Sequence, residues 1–399
     1  MTQTAIVVGS GISGSIFARV LARSGAWDVV VLEKGRNLFS GLGSGAVSSV
    51  FANDEVGYRA RTAPFMQDPL LEPRTFRPDP SAGARSHVGA VQFLPTTVGG
   101  GTVHYDAKLR RFREVDFMAN SLLGGDRWRP AIAGTTYTDW PVTYAQMEPF
   151  YAVVEEILGV QGPAVLDGGR VSNPNPYESW RSTPFPMAPG VDMLSGLLVA
   201  DSARRLGYTP AAVPTGVNSR PYRGRPACVD CGFCIHYGCA INARSAGVWP
   251  LHDALATGRA RLISEANVVG VEFVNDGKGR FRATGVVYID ADGRTRGLGG
   301  DLVVLANTPI EATRVTLGSG ISLPPDERHV AALRPSPSEP SGLLGRNLMF
   351  HFQTIAIAVV DRDIHPGRGR LSTHTVDAFV GSGPSADGFD PGVLRGGVV

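Results

Sequence analysis

Gly9-Ser10-Gly11-Ile12-Ser13-Gly14 follows a short apolar run ending at Val8 and precedes Ile16, Phe17, Val20 and Leu21, which recur at helical spacing. This stretch constrains the fold more than any other. In a G-x-G-x-x-G turn the first glycine permits the tight bend, the second lets backbone approach a pyrophosphate, and the third lets helix and strand pack closely. The pattern predicts a strand over residues 4–8, a helix stopped by Gly25 and a second strand over 28–32 that ends at Glu33. Amides at the helix start can face phosphates. Glu33, 24 positions after Gly9, is expected to accept hydrogen bonds from ribose hydroxyls. A glycine turn without a ligand is the competing reading of the six residues alone. The flanking strand, helix and acid favour a dinucleotide site.

The 399 residues exceed one ordinary domain and point to a large composite fold or two domains. Fifty glycines and 29 prolines beside 43% hydrophobic residues describe a loop-rich globular chain. A net charge of +2 excludes a broad electrostatic attraction to nucleic acid or an anionic membrane. No apolar run approaches the roughly 20 residues of a spanning helix, and MTQT leads straight into AIVVGSG without a signal-peptide pattern. The cytoplasm is the default expectation, with the periplasm reached through co-export with a partner.

All four cysteines, Cys228, Cys231, Cys234 and Cys239, fall in one C-x-x-C-x-x-C-x-x-x-x-C segment. Clustered soft thiolates suit an iron–sulfur centre, and four of them also suit tetrahedral zinc. Unmetallated thiols and disulfides stand as the alternatives. His236 reads as a neighbouring ligand or as an ordinary polar loop residue.

Residues 5–35, with the ending Val31-Leu32-Glu33-Lys34-Gly35, resemble the FAD-binding opening of the glucose-methanol-choline (GMC) oxidoreductases. Val98-Gly99-Gly100-Gly101-Thr102-Val103-His104-Tyr105, followed by Arg111-Phe112, resembles the flavin-contacting segment of the flavoprotein subunits of gluconate, fructose and sorbitol dehydrogenases in that family. Leu302 to Ala312 is similar to a second FAD signature, with Asn307 and Thr308 where glycine is usual, and Gly345 to His351 to a third. Tyr105 and Asp106 depart from the common Trp and Asn.

The resemblance implies an α/β fold: a Rossmann-like FAD-binding domain of GMC type with a discontinuous α+β substrate domain, incomplete at the C-terminus. Residues 1–137 would form the first part of the FAD domain, and 138–240 the first part of the substrate domain with the cysteine loop at 228–239. Residues 241–350 would return mostly to the FAD domain, and 351–399 would begin the remaining substrate sheet. FAD would be held by Gly9, Gly11, Gly14, Glu33, Lys34, Gly99, Gly100, Gly101, Thr102, Val268, Ala306 and Asn307. His104, Tyr105 and Arg111 would lie near flavin or substrate. Trp140 and Tyr144 read as packing at a domain junction, with an aromatic sugar platform as the alternative.

The implied activity is oxidation of an alcohol or sugar hydroxyl by hydride transfer to flavin. The catalytic base is expected outside this chain, on a second polypeptide supplying the C-terminal part or on sequence lost by truncation. A cytochrome or other acceptor would take electrons, with the cysteine loop as a relay if it carries iron and sulfide. The alternative is a non-catalytic flavin-binding or assembly subunit whose cysteine loop is structural. A second G-x-G-x-x-G unit for NAD(P) is not found, which disfavours a pyridine-nucleotide reductase.

Overall fold

The computed structural model describes residues 2–49, 94–123, 138–234, 238–275, 281–319, 344–345, 348–350, 356–365 and 367–380, with the backbone of 74–76 and 87–89. In chain order its principal elements begin with β1 (Gln3–Val8), α1 (Ile12–Arg23), β2 (Trp27–Leu32), α2 (Tyr144–Leu158), α3 (Leu194–Arg205) and β3 (Pro210–Ala212). They continue with α4 (Val248–Leu255), β4 (Ala260–Ile263), β5 (Asn267–Asn275), β6 (Phe281–Ile289), β7 (Thr295–Gly299), β8 (Leu302–Leu305), α5 (Pro309–Ser319) and β9 (His374–Val376). Arg346, Asn347, His351 and His236 lie outside the described residues. Among the described residues no helix is long and apolar enough to cross a membrane.

The chain divides into two compact units, Met1–Val103 with Ala246–Val359 and His104–Ser245 with Val360–Val399. Position 138, where the sequence reading opens the substrate domain, lies inside the second unit.

In the first unit β1 pairs in parallel with β2 and β8, and β4 adds to β2, giving the order β4-β2-β1-β8. Short, almost wholly apolar strands are what a parallel sheet covered on both faces requires. Val7, Val29 and Val31 pack with Ala18, Ala22, Val248 and Leu251, so α1 and α4 cover one face. Ile6, Val8, Val30 and Leu32 pack with Val268, Val286 and Val315 on the other. That second cover comes from α5 and the antiparallel sheet β5-β6-β7. The register aligns Val8 with Leu32 and Leu305, and Leu32 with Ile263, so the four strands finish level. Ligands of open α/β sheets bind at this carboxyl edge.

In the second unit α2 starts from a reciprocal cap: Gln146 N donates to Thr143 Oγ1 at 3.3 Å, and Thr143 N donates to Gln146 Oε1 at 2.8 Å. It stops at Gly159, whose φ of +72° is a left-handed value that glycine adopts without penalty. The helix aims Tyr144, Glu148 and Glu155 inward, all buried. Only β3 and β9 among the labelled elements pair in this unit, as a two-stranded antiparallel ribbon. Tyr144 is packed inside the unit, whereas Trp140 is 59% exposed.

Candidate functional site

A cleft of about 290 Å³ opens at the carboxyl edge of the parallel sheet in the first unit. One wall is the glycine turn. Gly9 sits at φ +95°, and a Cβ there would stand 2.7 Å from Ala306 O. A Cβ on Gly14 would stand 2.0 Å from Gly9 O, so helix and strand close only over glycine. Gly11 differs: a Cβ there would meet nothing within 4 Å, because that position faces open space in the cleft lining. Gly11 is also the N-cap of α1, with no side-chain cap and no acid in the first turn. The first amides of α1 are therefore left for an anion.

Glu33 ties the turn to its surroundings. It is 7% exposed, its Oε2 accepts from Ser10 N at 2.9 Å and Ser10 Oγ at 2.6 Å, and its Oε1 accepts from Gly35 N at 2.8 Å. These three donors leave the carboxylate an acceptor position, and Glu33 lines the cleft. Ser10 Oγ in turn accepts from Gly99 N at 3.1 Å. Thr102 Oγ1 donates to Gly99 O and accepts from Gly247 N, each at 2.8 Å. These bonds lock the second glycine run, with Gly99 at φ +89° and Gly100 at φ +59°, against the first. Gly100, Gly101, Thr102 and Lys34 line the cleft.

Val268, Ala306, Asn307 and Arg314 also line the cleft, Ala306 and Asn307 lying against Gly9. Arg314 Nε donates to Glu311 Oε2 at 2.9 Å, and Nη2 donates to Val268 O at 3.0 Å. Ala306 N donates to Val8 O at 2.8 Å, which fixes Asn307 at the sheet edge. The side-chain oxygen of Asn307 is buried without a hydrogen-bond partner among the described residues. The uncapped helix start at Gly11 on the cleft wall fits a ligand that carries phosphates.

His104 and Tyr105 open the second unit. Burial raises the Tyr105 phenol above its ordinary range, against the opposing pull of Arg244 and Arg225, so it remains neutral. Arg244 Nη1 donates to Tyr105 O at 2.8 Å and also to Cys234 O, joining that residue to the cysteine loop. Arg111 is committed within its own unit. Its Nε and Nη2 grip Glu155 at 2.7 and 2.9 Å, and Nη1 donates to Glu148 Oε1 at 2.9 Å and to Tyr144 Oη at 3.3 Å. Burial opposes its charge, but the bonds to Glu155, Tyr144 and Glu148 prevail and hold its pKa above the ordinary value. Arg181 adds a further contact to Glu155. A guanidinium so engaged is a structural anchor.

Cys228, Cys231, Cys234 and Cys239 are all free thiols lining one small pocket, with Arg244 and Gly369. The disulfide alternative is not realised. Burial pushes the Cys228 thiol up to about 12 and raises Cys234 as well, the latter against the pull of Arg244. Among the described residues no group of three or more His, Cys, Asp or Glu side chains is arranged to hold a metal. The four cysteines line one pocket, but among the described residues their side chains are not arranged as a ligand set.

Sequence reading missed Ser10, Gly247 and Arg314. Ser10 lay inside the motif as a variable position, and Gly247 acts from 145 residues away, bonded to Thr102. A signal for Arg314 was available: Glu311 three residues earlier on a helix forms an i,i+3 pair with it.

The profile of an NAD(P)-binding Rossmann-like domain matches residues 7–64, which include the end of β1, the glycine turn, the helix and the second strand. The gluconate 2-dehydrogenase flavoprotein of Pantoea cypripedii is 29% identical over 408 aligned residues, 97% of this chain and 62% of that protein. The fructose dehydrogenase large subunit of Gluconobacter japonicus is 27% identical, with 88% of this chain matching 59% of it. A GMC-type oxidoreductase of Mycobacterium tuberculosis is 28% identical, with 94% of this chain matching 46% of it. The chain spans between 46% and 62% of the length of these relatives. They are oxidoreductases of the GMC type that the sequence resembles.

Proposed function

We propose that this chain binds FAD in the cleft of its first unit and forms part of a dehydrogenase that oxidises a sugar, polyol or other alcohol. The observation that carries the proposal is the joining of two glycine runs, Gly9 to Gly14 and Gly99 to Gly101, by the Glu33–Ser10–Gly99 hydrogen bonds around one cleft. The relatives support flavin as the dinucleotide, one of them being a flavoprotein by name.

Bound FAD would supply the two-electron acceptor for a hydride leaving the carbon that bears the hydroxyl. The chain's own part is positioning. The uncapped start of α1 and the space over Gly11 would take the pyrophosphate. The bare backbone of Gly100 and Gly101 would let a flat ring lie close, where side chains would clash. The Ser10 and Thr102 bonds keep that backbone from moving away. The proton of the substrate hydroxyl needs a positioned base, and the proposal assigns it to a second polypeptide, with a cytochrome or similar acceptor receiving the electrons. That one relative is named a large subunit supports an assembly. The proposal keeps an iron–sulfur relay at the cysteine loop, whose four cysteines line one small pocket. Among the described residues those side chains do not form a ligand set.

The test is purification of the native assembly, with release and identification of the flavin, intact masses of every chain and substrate-dependent bleaching of a redox dye across sugars, polyols and alcohols. FAD with bleaching is expected. A folded assembly free of flavin would overturn the proposal, and FAD without turnover on any hydroxyl donor would leave a flavin-binding subunit instead.

A further inference from the structure

We infer that Arg314 recognises the base of the bound dinucleotide, donating from Nη1 to a ring nitrogen of the adenine. The inference rests on the dinucleotide cleft proposed above, with phosphates at the uncapped start of α1 and a ribose at Glu33. The wall next to Glu33 locates the base. Glu33 follows β2, and its carbonyl accepts from Ala266 N at 2.9 Å, which sets the segment between β4 and β5 directly beside it. Ala266, Asn267 and Val268 line the cleft, and Arg314 lines it with them. Phosphate, ribose and base follow one another along a nucleotide, so a ligand running from Gly11 past Glu33 carries its base to this wall.

Arg314 is held in place and still has a donor to give. Its side chain is 42% exposed. Nε donates to Glu311 Oε2 at 2.9 Å, while Nη2 donates to Val268 O at 3.0 Å and to Asn267 Oδ1 at 3.4 Å. Nη1 makes no hydrogen bond with any described residue. A solvated helix arginine would stop at the pair with the acid three residues earlier. Here two further bonds fix the planar group against β5. A guanidinium so pre-organised gives up little freedom when it donates again. Its charge is already offset by Glu311, so it suits a neutral base better than a phosphate. Adenine presents ring nitrogens as acceptors, and the two N–H groups on Nη1 are the donors left to meet them.

The experiment titrates the full chain, freed of nucleotide, with ADP and its 1-, 3- and 7-deaza analogues by calorimetry, and then adds FAD as competitor. Each analogue replaces one ring nitrogen by C–H and leaves phosphates and ribose unchanged. Wild type should bind at least one analogue about three- to tenfold more weakly than ADP, the usual net value of one hydrogen bond. Arg314→Ala should bind ADP at that weakened level and no longer distinguish that analogue, because the two losses describe one contact and do not add. Arg314→Met, which keeps the length of the side chain, is read in the same way if the alanine variant fails to fold. Equal binding of all four ligands by wild type, or every discrimination surviving in the variant, would overturn the inference. If the variant loses a discrimination but FAD does not displace ADP, the inference stands and the flavin reading fails. If FAD displaces ADP while every discrimination survives in the variant, the reverse holds.

Discussion

Ser10 meets Glu33 twice, through its amide at 2.9 Å and its hydroxyl at 2.6 Å, both on the same carboxylate oxygen. The hydroxyl relays this grip to Gly99 N, so one side chain couples the two glycine runs. Ser10→Ala should lose the relay while keeping the amide bond. A buried charge-assisted hydrogen bond contributes about 1.5–3 kcal/mol, so a clear drop in melting temperature is expected, with a larger drop in FAD affinity than Ser10→Thr causes. Thermal unfolding with and without FAD measures both, and an unchanged affinity would remove Ser10 from the coupling.

Gly11 and Gly14 make opposite predictions from one motif. Gly14→Ala drives a methyl to 2.0 Å from Gly9 O, so the helix must shift and the chain should be strongly destabilised, with or without ligand. Gly11→Ala puts its methyl into open space at a φ of −60°, which alanine accepts, so the free chain should melt as wild type does. It should nevertheless bind FAD at least tenfold more weakly, because the methyl occupies the cleft. Equal FAD binding by Gly11→Ala would show that the pyrophosphate lies elsewhere.

These two cases also mark what the sequence made legible. Strand, turn, helix and second strand follow from local periodicity and glycine spacing, and all four formed within a residue or two of expectation. What was not legible depends on partners far along the chain: β8 beside β1 and Gly247 under Thr102. Arg111 was read by likeness as a residue near flavin or substrate, yet it is buried against α2. Tyr144, Glu148 and Glu155 recur on one helical face, so a polar stripe aimed inward was present in the pattern and pointed to a buried cation.

Arg111→Ala should leave Glu148 and Glu155 buried with part of their compensation gone. Breaking a buried pair from one side costs about 3–5 kcal/mol, enough to threaten folding. Arg111→Lys keeps the charge but not the fork that grips Glu155 at both nitrogens, so it should rescue only partly. Chemical denaturation of the three proteins should rank wild type, Lys and Ala in that order, and parity between Lys and wild type would refute the bidentate argument.

The cysteine pocket predicts an order of alkylation for chain prepared without metal. Cys231 is exposed, while Cys228 is partly buried with its thiol pushed up to about 12, so at neutral pH it offers almost no thiolate. Iodoacetamide followed by peptide mass spectrometry should label Cys231 first and Cys228 much later. Iron and sulfide assays with EPR on anaerobically purified assembly test the other state, and bound iron with all four cysteines protected would establish the relay. Rapid labelling of an iron-free native assembly would leave the loop as a reduced thiol cluster.

Stability should vary with pH through carboxyl groups of opposite sign. Glu148 is penalised by burial but held below its ordinary pKa by the Ser182 amide and Arg111, and Asp377 likewise by Arg110. Groups with depressed folded pKa values stabilise above their unfolded values and lose that contribution as pH falls through the folded ones, so an acid limb should begin below about pH 4. Glu178 has the opposite sign, because burial raises its pKa despite the hydrogen bond from Asn173 at 2.8 Å. Its folded state prefers the proton, and stability drains as pH rises from the unfolded value through the folded one. Glu178→Gln removes that titration while keeping the shape. Its melting temperature relative to wild type should therefore be higher at pH 7 than at pH 4, and an offset that does not change with pH would mean that Glu178 ionises in the folded chain as freely as in the unfolded one.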